Sequence, residues 1–473
     1  MFFRWKCPTF AAIKIAYSMQ RIFITLMAWC YVVVLAIAQD GVHKQSAAAD
    51  YQWPSEPDVL AKLHQWQDLK FGVLLHWGIY SVPGIVESWS ICCEDWIKRD
   101  TTRTYEQYRK WYFGLADEFK PVQFDPQQWA TVMRQAGMKY MIFTTKHHDG
   151  FCMYDSRETD YTIARHAFAG DARSDVLRHV LDAFRAENFM LGTYFSKADW
   201  HSQYYWWDVY PNRGRNVNYP IKKYPWRWEQ FCQFTYRQIE EIMAGYGPVD
   251  ILWLDGGWVC AENNQDIHMP EIVSMARRHQ PGLIVVDRTI RGPYENYQTP
   301  EQTIPHEQLA YPWESCITLS DDWGYVPQPR WKSPSKVIGL LAEVVAKGGN
   351  MVLGVGPTPQ GRIQPEAVQR LQAIGQWLEK NGKAIYGTTI TPLYHDGNIW
   401  FTASKDGARR YAICTLSDGE SLPATIAWKG NEPAKRVRLL ATGKTLKFKR
   451  DGEKVVVYLP SGLPAEPVAL EIE

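Results

Sequence analysis

Residues 139–151 read KYMIFTTKHHDGF. A short apolar run, Tyr140-Met141-Ile142-Phe143, gives way to two threonines and a lysine, then to His147-His148-Asp149-Gly150. This reads as a buried strand whose carboxyl end delivers polar groups to the rim of a sheet, where ligands sit in α/β folds. The pattern returns at 71–78, FGVLLHWG, and at 249–257, VDILWLDGG. Each hydrophobic run ends in an imidazole or carboxylate close to a glycine, which predicts a functional rim.

Outward from these runs, helical and strand patterns alternate. Ser55–Leu69 is read as a helix with Leu60, Leu63 and Trp66 on one face, followed by a strand at Phe71–Leu75. Helices are expected at Pro126–Gln135, Asp171–Ala186, 226–244, 269–279, 334–346 and Pro365–Leu378, and strands at 139–143, Phe189–Tyr194, Val249–Leu254, Leu283–Val286 and Met351–Val355. Short strands alternating with longer helices predict an α/β fold, a (β/α)8-like TIM barrel over residues 55–383. The pattern at 316–330 is ambiguous, and eight equally clear strands are not found. A doubly wound sheet is the alternative, weakened by the lack of a glycine-rich turn after the first strand. From 384 to 473 the period changes to short alternating runs such as WFTAS (400–404) and KVVVYLP (454–460), with Asp-Gly turns at 396, 418 and 451. That predicts a C-terminal antiparallel β-sandwich domain.

The chain has 473 residues and a formal net charge of +1, so no nucleic-acid partner is indicated. Its 22 Trp and 26 Tyr suit stacking on sugar rings. Arg21, the apolar run Ile22–Ala38 and the Ala36-Ile37-Ala38 site read as a signal peptide over 1–38, with Met19 an alternative start and 39–54 a linker. The expected mature chain is exported, periplasmic or extracellular, with no stable membrane span. The nine cysteines include no CxxC, and cleavage leaves seven, so neither a zinc knuckle nor a disulfide scaffold is expected.

Asp255, in Trp253-Leu254-Asp255-Gly256-Gly257, ends a buried strand and is the first candidate for acetal chemistry. Retaining hydrolysis needs one carboxylate to attack carbon and a second to protonate the leaving oxygen. Glu301 and Glu314, both placed on a long loop after the fifth strand, are candidates for that acid. His76, His147 and His148 are expected to bond sugar hydroxyls. A metal reading is disfavoured: adjacent histidines on an extended chain diverge, and H-x-H and H-E-x-x-H are absent. Trp77, Trp89, Tyr194 and Trp323 are candidates for an apolar wall, Trp253 is a candidate for substrate binding, and Lys146 for a partner of Asp149 or Asp255. No cofactor is expected.

FGVLLHWGIYSVPG, KYMIFTTKHHDGFCMYDS, GPVDILWLDGG, WESCITLSDDWGY and KGGNMVLGVGPTPQGRI together resemble the α-L-fucosidases of glycoside hydrolase family 29. The resemblance runs from about 70 to 365. It implies an exo-acting retaining enzyme that releases terminal fucose from fucosylated oligosaccharides or glycoconjugates. It implies Asp255 as nucleophile, His76, His147 and His148 on fucose hydroxyls, and Trp89 and Tyr194 in the pocket. It places the acid/base best at Glu301, with Glu314 as the alternative. The usual EWY after the first strand appears here as Glu87-Ser88-Trp89, which leaves the role of Glu87 and the linkage preference open. The competing classes are a catalytically inactive, lectin-like fucose binder on the same fold, a different retaining glycosidase and a metal-dependent hydrolase.

Overall fold

The computed structural model describes residues 51–94, 96–212, 214–430 and 434–473. The expected signal peptide and most of the linker lie outside the described residues. Among the described residues no helix is long and apolar enough to cross a membrane.

Seven parallel strands form one curled sheet: β1 (Phe71–Leu75), β2 (Tyr140–Lys146), β3 (Met190–Ser196), β4 (Ile251–Asp255), β5 (Ile284–Asp287), β6 (Glu314–Thr318) and β7 (Asn350–Val355), in the order β5-β4-β3-β2-β1-β7-β6. Nearly every strand residue is buried, because both faces of the sheet are covered. Leu74, Ile142, Ile251, Trp253, Val286 and Val352 fill the interior. Their neighbours, such as Val73, Leu75, Met141 and Leu252, pack outward against the helices.

The gap between β5 and β6 is spanned by an irregular stretch. Asn296 N donates to Val285 O at 2.9 Å, while Glu314 N donates to Gln298 O at 2.7 Å and Cys316 N to Pro300 O at 3.0 Å. Pro293 and Pro300 lack the N–H a regular strand needs, and Gln302 takes φ 51°, so this eighth position never becomes a strand. That is why the periodicity shows fewer than eight. The ambiguous stretch at 316–330 contains the end of β6.

The helices are α1 (Pro57–Leu69), α2 (Tyr105–Gly114), α3 (Pro126–Gln135), α4 (Val176–Ala186), α5 (Pro225–Gly245), α6 (Met269–His279), α7 (Pro334–Ala346) and α8 (Pro365–Asn381). In α1 the inward face is Val59, Leu63 and Trp66, so Val59 replaces the expected Leu60. The start of α4 falls five residues after the expected Asp171, because Asp171 accepts from the Arg173 backbone and guanidinium in a turn. Helix α2 was not expected inside the aromatic excursion; a capping box, Thr104 with Gln107, begins it.

Beyond α8 the chain is antiparallel. β8 (Thr388–Thr389), β9 (His395–Asp396), β10 (Ile399–Ser404), β11 (Arg410–Cys414), β13 (Val437–Leu439) and β16 (Val468–Ile472) form one sheet. β12 (Thr425–Lys429), β14 (Phe448–Asp451) and β15 (Lys454–Tyr458) form the other, and both share a core of Phe401, Trp428, Val457 and Leu470. Gly397 and Gly452 turn at φ 62° and 61°, in the left-handed region. The larger sheet leans on the barrel's flank: Trp377 Nε1 on α8 donates to Pro467 O at 2.6 Å, and Thr402 Oγ1 to Ala384 O at 2.8 Å.

Helix α8 also crosses α3 at Gly375, where a Cβ would meet the Gln135 carbonyl oxygen at 1.9 Å. Neither partner is a flexible side chain. Gly375→Ala is expected to destabilise the fold by about 1–3 kcal/mol, read as a lower urea midpoint at unchanged slope.

Candidate active site

The carboxyl ends of β1 to β5 converge on one rim, and the alternation of each strand decides which side chains face inward. On β4, Trp253 and Asp255 share the inner face, so the strand's last residue points into the mouth of the barrel. The Asp255 side chain is 14% exposed. Its Oδ2 accepts the Tyr194 hydroxyl at 2.7 Å, and its Oδ1 accepts Gly256 N at 2.8 Å and Arg288 Nη1 at 3.2 Å. Burial pushes its pKa up, but the Arg288 cation, with the Tyr194 hydroxyl and the Gly256 N–H, outweighs burial and holds it well below the carboxylate range. Asp255 is therefore an ionised, aimed carboxylate.

Glu301 stands on the irregular stretch that closes the barrel. Its Oε2 accepts from Arg288 Nη2 and its Oε1 from Trp323 Nε1 at 3.0 Å. One guanidinium therefore bridges Asp255 and Glu301, which limits their separation to that group plus two hydrogen bonds. A retaining pair needs roughly 5–5.5 Å. The Arg288 side chain is 6% exposed, lies over the Trp253 ring at 5.0 Å and donates from Nε to Thr299 Oγ1 at 3.2 Å.

Glu314 lies elsewhere. It is the first residue of β6, fully buried, where the sequence reading placed it on a loop. Its Oε1 accepts the Tyr140 hydroxyl at 2.7 Å, deep in the barrel interior, and burial raises its pKa to about 7. A strand rises about 3.3 Å per residue, so roughly 13 Å separates its backbone from the rim end of β6 at Thr318.

The three histidines come together. The His147 and His148 rings are 4.2 Å apart, and His76 lies 5.7 Å from His147. The expectation that the pair diverges is corrected here: β2 shifts register at 144–146 and the chain turns, with Gly150 N donating to His147 O at 3.1 Å, so the segment is not extended. Ser196 Oγ donates to Ala198 O at 2.7 Å, so it accepts from His148 Nδ1, also at 2.7 Å. That tautomer leaves His148 Nε2 as an acceptor facing the pocket, 3.7 Å from Asp255. His147 Nδ1 bonds Ser88 Oγ. Burial lowers His148 to about 4 and His76 to about 3, with His147 also well below its ordinary value, so all three are neutral near pH 7.

The aromatic candidates divide. Trp89 stands 5.1 Å from His148 and Trp323 stands 5.3 Å from His76, both partly exposed in the pocket wall. Tyr194 is fully buried and contributes its hydroxyl. Trp253 is 1% exposed and stacks under Tyr194 at 5.2 Å, so it forms the floor. Trp77 faces outward against Phe119, Phe124 and Trp129, in the core. Lys146 pairs with Asp199 at 3.2 Å, not with Asp149 or Asp255. Glu87 is buried, its pKa raised to about 7 by desolvation, and accepts from Gly324 N at 2.7 Å. Donor atoms near enough to share a metal occur at Glu229, Cys232 and His268, within 4.8 Å of one another, on α5 and just before α6.

Sequence reasoning missed Arg288. Its signal was present: Ile284-Val285-Val286-Asp287-Arg288 is another apolar run ending in charge. Ser88 and Ser196, which orient the histidines, carried no signal of their own.

An ionised carboxylate and a second carboxyl facing one imidazole-lined pocket at a barrel rim define a glycoside-hydrolase type of site. The comparisons narrow this class. The family profile described as Alpha-L-fucosidase matches residues 37–383. The human tissue alpha-L-fucosidase is 28% identical over 88% of this chain and 89% of its own. The alpha-L-fucosidase isoenzyme 1 structure from Paenibacillus thiaminolyticus superposes with a TM-score of 0.73 at 30% identity, covering 88% of this chain and 99% of that one. A Thermotoga maritima alpha-fucosidase structure in complex with fucose gives a TM-score of 0.69 at 27% identity, over 91% and 99%. The chain belongs to the α-L-fucosidase family, glycoside hydrolase family 29.

The clamp has a pH consequence. A carboxylate held low stays ionised as pH falls, and removing the facing cation lets its pKa climb. Arg288→Gln is expected to move the acidic limb of the kcat/KM profile upward by about one to three pH units.

Proposed function

We infer that the protein is an exo-acting, retaining α-L-fucosidase that hydrolyses terminal α-L-fucose from glycans or glycosides by double displacement. The observation that carries this is the Arg288 bridge between Asp255 and Glu301, inside a pocket lined by His76, His147 and His148.

In this reading Asp255 attacks the anomeric carbon while Glu301 gives its proton to the departing glycosidic oxygen. A β-linked fucosyl-enzyme results. Water then enters from the face the leaving group vacated, Glu301 takes its proton, and α-L-fucose is released. Tyr194 and Gly256 N orient the nucleophile. Neutral histidines suit hydroxyl recognition: with its Nδ1 held by Ser196, His148 turns Nε2 to the pocket as an acceptor, and none of the three competes for Asp255 as a cation. Trp89 and Trp323 give apolar surface for the ring and its methyl group. The barrel at 55–383 carries all of this chemistry, and the sandwich at 384–473 buttresses its flank. A leader at 1–38 would deliver the enzyme to the periplasm or beyond, where fucosylated glycans are met.

The test uses an aryl α-L-fucoside and a fucosylated oligosaccharide, with azide as external nucleophile. Asp255→Gly is expected to be inactive until azide restores turnover as the β-fucosyl azide. Glu301→Ala should lose about 100- to 10,000-fold on the oligosaccharide, keep activity on an activated aryl leaving group, and yield the α-azide. Glu314→Gln should show neither azide rescue nor leaving-group dependence, because its carboxyl lies beneath the pocket. A Glu301→Ala enzyme that matched wild type on the oligosaccharide would remove it from the acid role. Wild type that released no fucose would favour the lectin-like reading.

A further inference from the structure

The loop after β1 carries an exposed tryptophan that the fucose pocket does not use. Trp96 is 55% exposed, a costly state for an indole, and yet it is held in place. Its Nε1 donates to Glu94 Oε2 at 3.1 Å. Glu94 is locked in turn by Arg215, whose Nε approaches Oε1 at 2.5 Å and whose Nη2 bonds Oε2, making a bidentate fork. The Arg215 guanidinium lies over Trp89 at 4.7 Å and over Trp258 at 5.2 Å. The same brace therefore fixes both the pocket wall and the exposed ring.

Position gives the ring its meaning. From the nucleophile outward the wall runs His148, then Trp89 at 5.1 Å, then Trp96 at 5.4 Å from Trp89. His148 and Trp89 belong to the part of the pocket that encloses the terminal sugar. Trp96 is the next ring on that wall and opens to solvent. In an exo-acting enzyme the part of the substrate lying outside the enclosed pocket is the leaving group. A pyranose carries an apolar face of axial C–H groups, and a flat ring fixed by its N–H stacks on it with little entropy left to lose.

We propose that Trp96, braced by Glu94 and Arg215, is the stacking platform for the pyranose to which the fucose is attached. This rests on the fucosidase reading above. It assigns Trp96 a share in leaving-group recognition and none in the bond-breaking step.

The experiment compares kcat/KM for a fucosylated oligosaccharide with that for α-L-fucosyl fluoride, whose leaving group has no ring to stack. Wild type, Trp96→Ala and Trp96→Phe are measured side by side. The ratio of oligosaccharide to fluoride is expected to fall about three- to tenfold in Trp96→Ala and to be largely retained in Trp96→Phe. An unchanged ratio in Trp96→Ala overturns the platform and leaves the fucosidase reading intact. Equal falls on both substrates also overturn it, and place Trp96 in the support of the fucose pocket. Wild type inert on fucosyl fluoride overturns the fucosidase reading itself, and the platform with it.

Discussion

The site depends on one buried cation. Arg288 enters the barrel mouth almost without solvent and faces two carboxylates at once. Taking a guanidinium out of water costs several kcal/mol, and the geometry compensates with two ion pairs, a bond to Thr299 and the face of Trp253. The arrangement is reciprocal. Without Arg288, Asp255 would face the Glu301 carboxyl in a low-dielectric pocket and its charged form would be disfavoured; without either carboxyl group, the cation would be left buried and underpaired. The clamp thus sets the charge of the site and its geometry together.

Beneath the clamp lies a floor of rings. Trp253 stacks on Tyr194, whose hydroxyl reaches Asp255, so a residue with no exposed surface controls where the reactive oxygen points. Lower still, Tyr140 donates to Glu314, and Trp66 stacks on Tyr297 at 4.0 Å. Around the rim are two further buried ion pairs: Lys197, just past β3, reaches across β4 to Asp287 at the end of β5 at 2.5 Å, and Lys146 at the end of β2 pairs with Asp199, just past β3. Lys197 N also donates to the Asp255 carbonyl at 2.9 Å, so the pair braces the backbone on both sides of the nucleophile. Breaking one partner of such a pair is costly, which makes the rim stiff where positioning matters.

The histidines show how burial selects a chemical role. A cationic imidazole beside Asp255 would compete with Arg288 for the same carboxylate. Desolvation keeps all three neutral, and Ser196 fixes the tautomer of His148. What results is a wall that can donate and accept hydrogen bonds without altering the charge on the nucleophile. Carboxylates do the bond-breaking, and uncharged rings do the recognition.

The strands were legible in the sequence because strands buried on both faces must be continuously apolar and must end where the polar rim begins. His76, His147, His148 and Asp255 followed from that rule, and Arg288 could have followed from it. Glu301 and Glu314 could not be separated by it. Both are glutamates near an aromatic residue in one proline-bearing stretch, and only the folded chain puts Glu301 on the closing segment and Glu314 at the sunken end of β6. Trp77 belongs to the core and not to the wall for a related reason: just past β1 it faces outward, and which way a residue faces there is a property of the closed sheet. The sequence by itself determined the alternation of elements, the rim and the types of group available there. Tertiary structure decided which carboxyl meets Asp255, because a shared cation joins residues on separate elements, and local pattern carries no information about the distance between them.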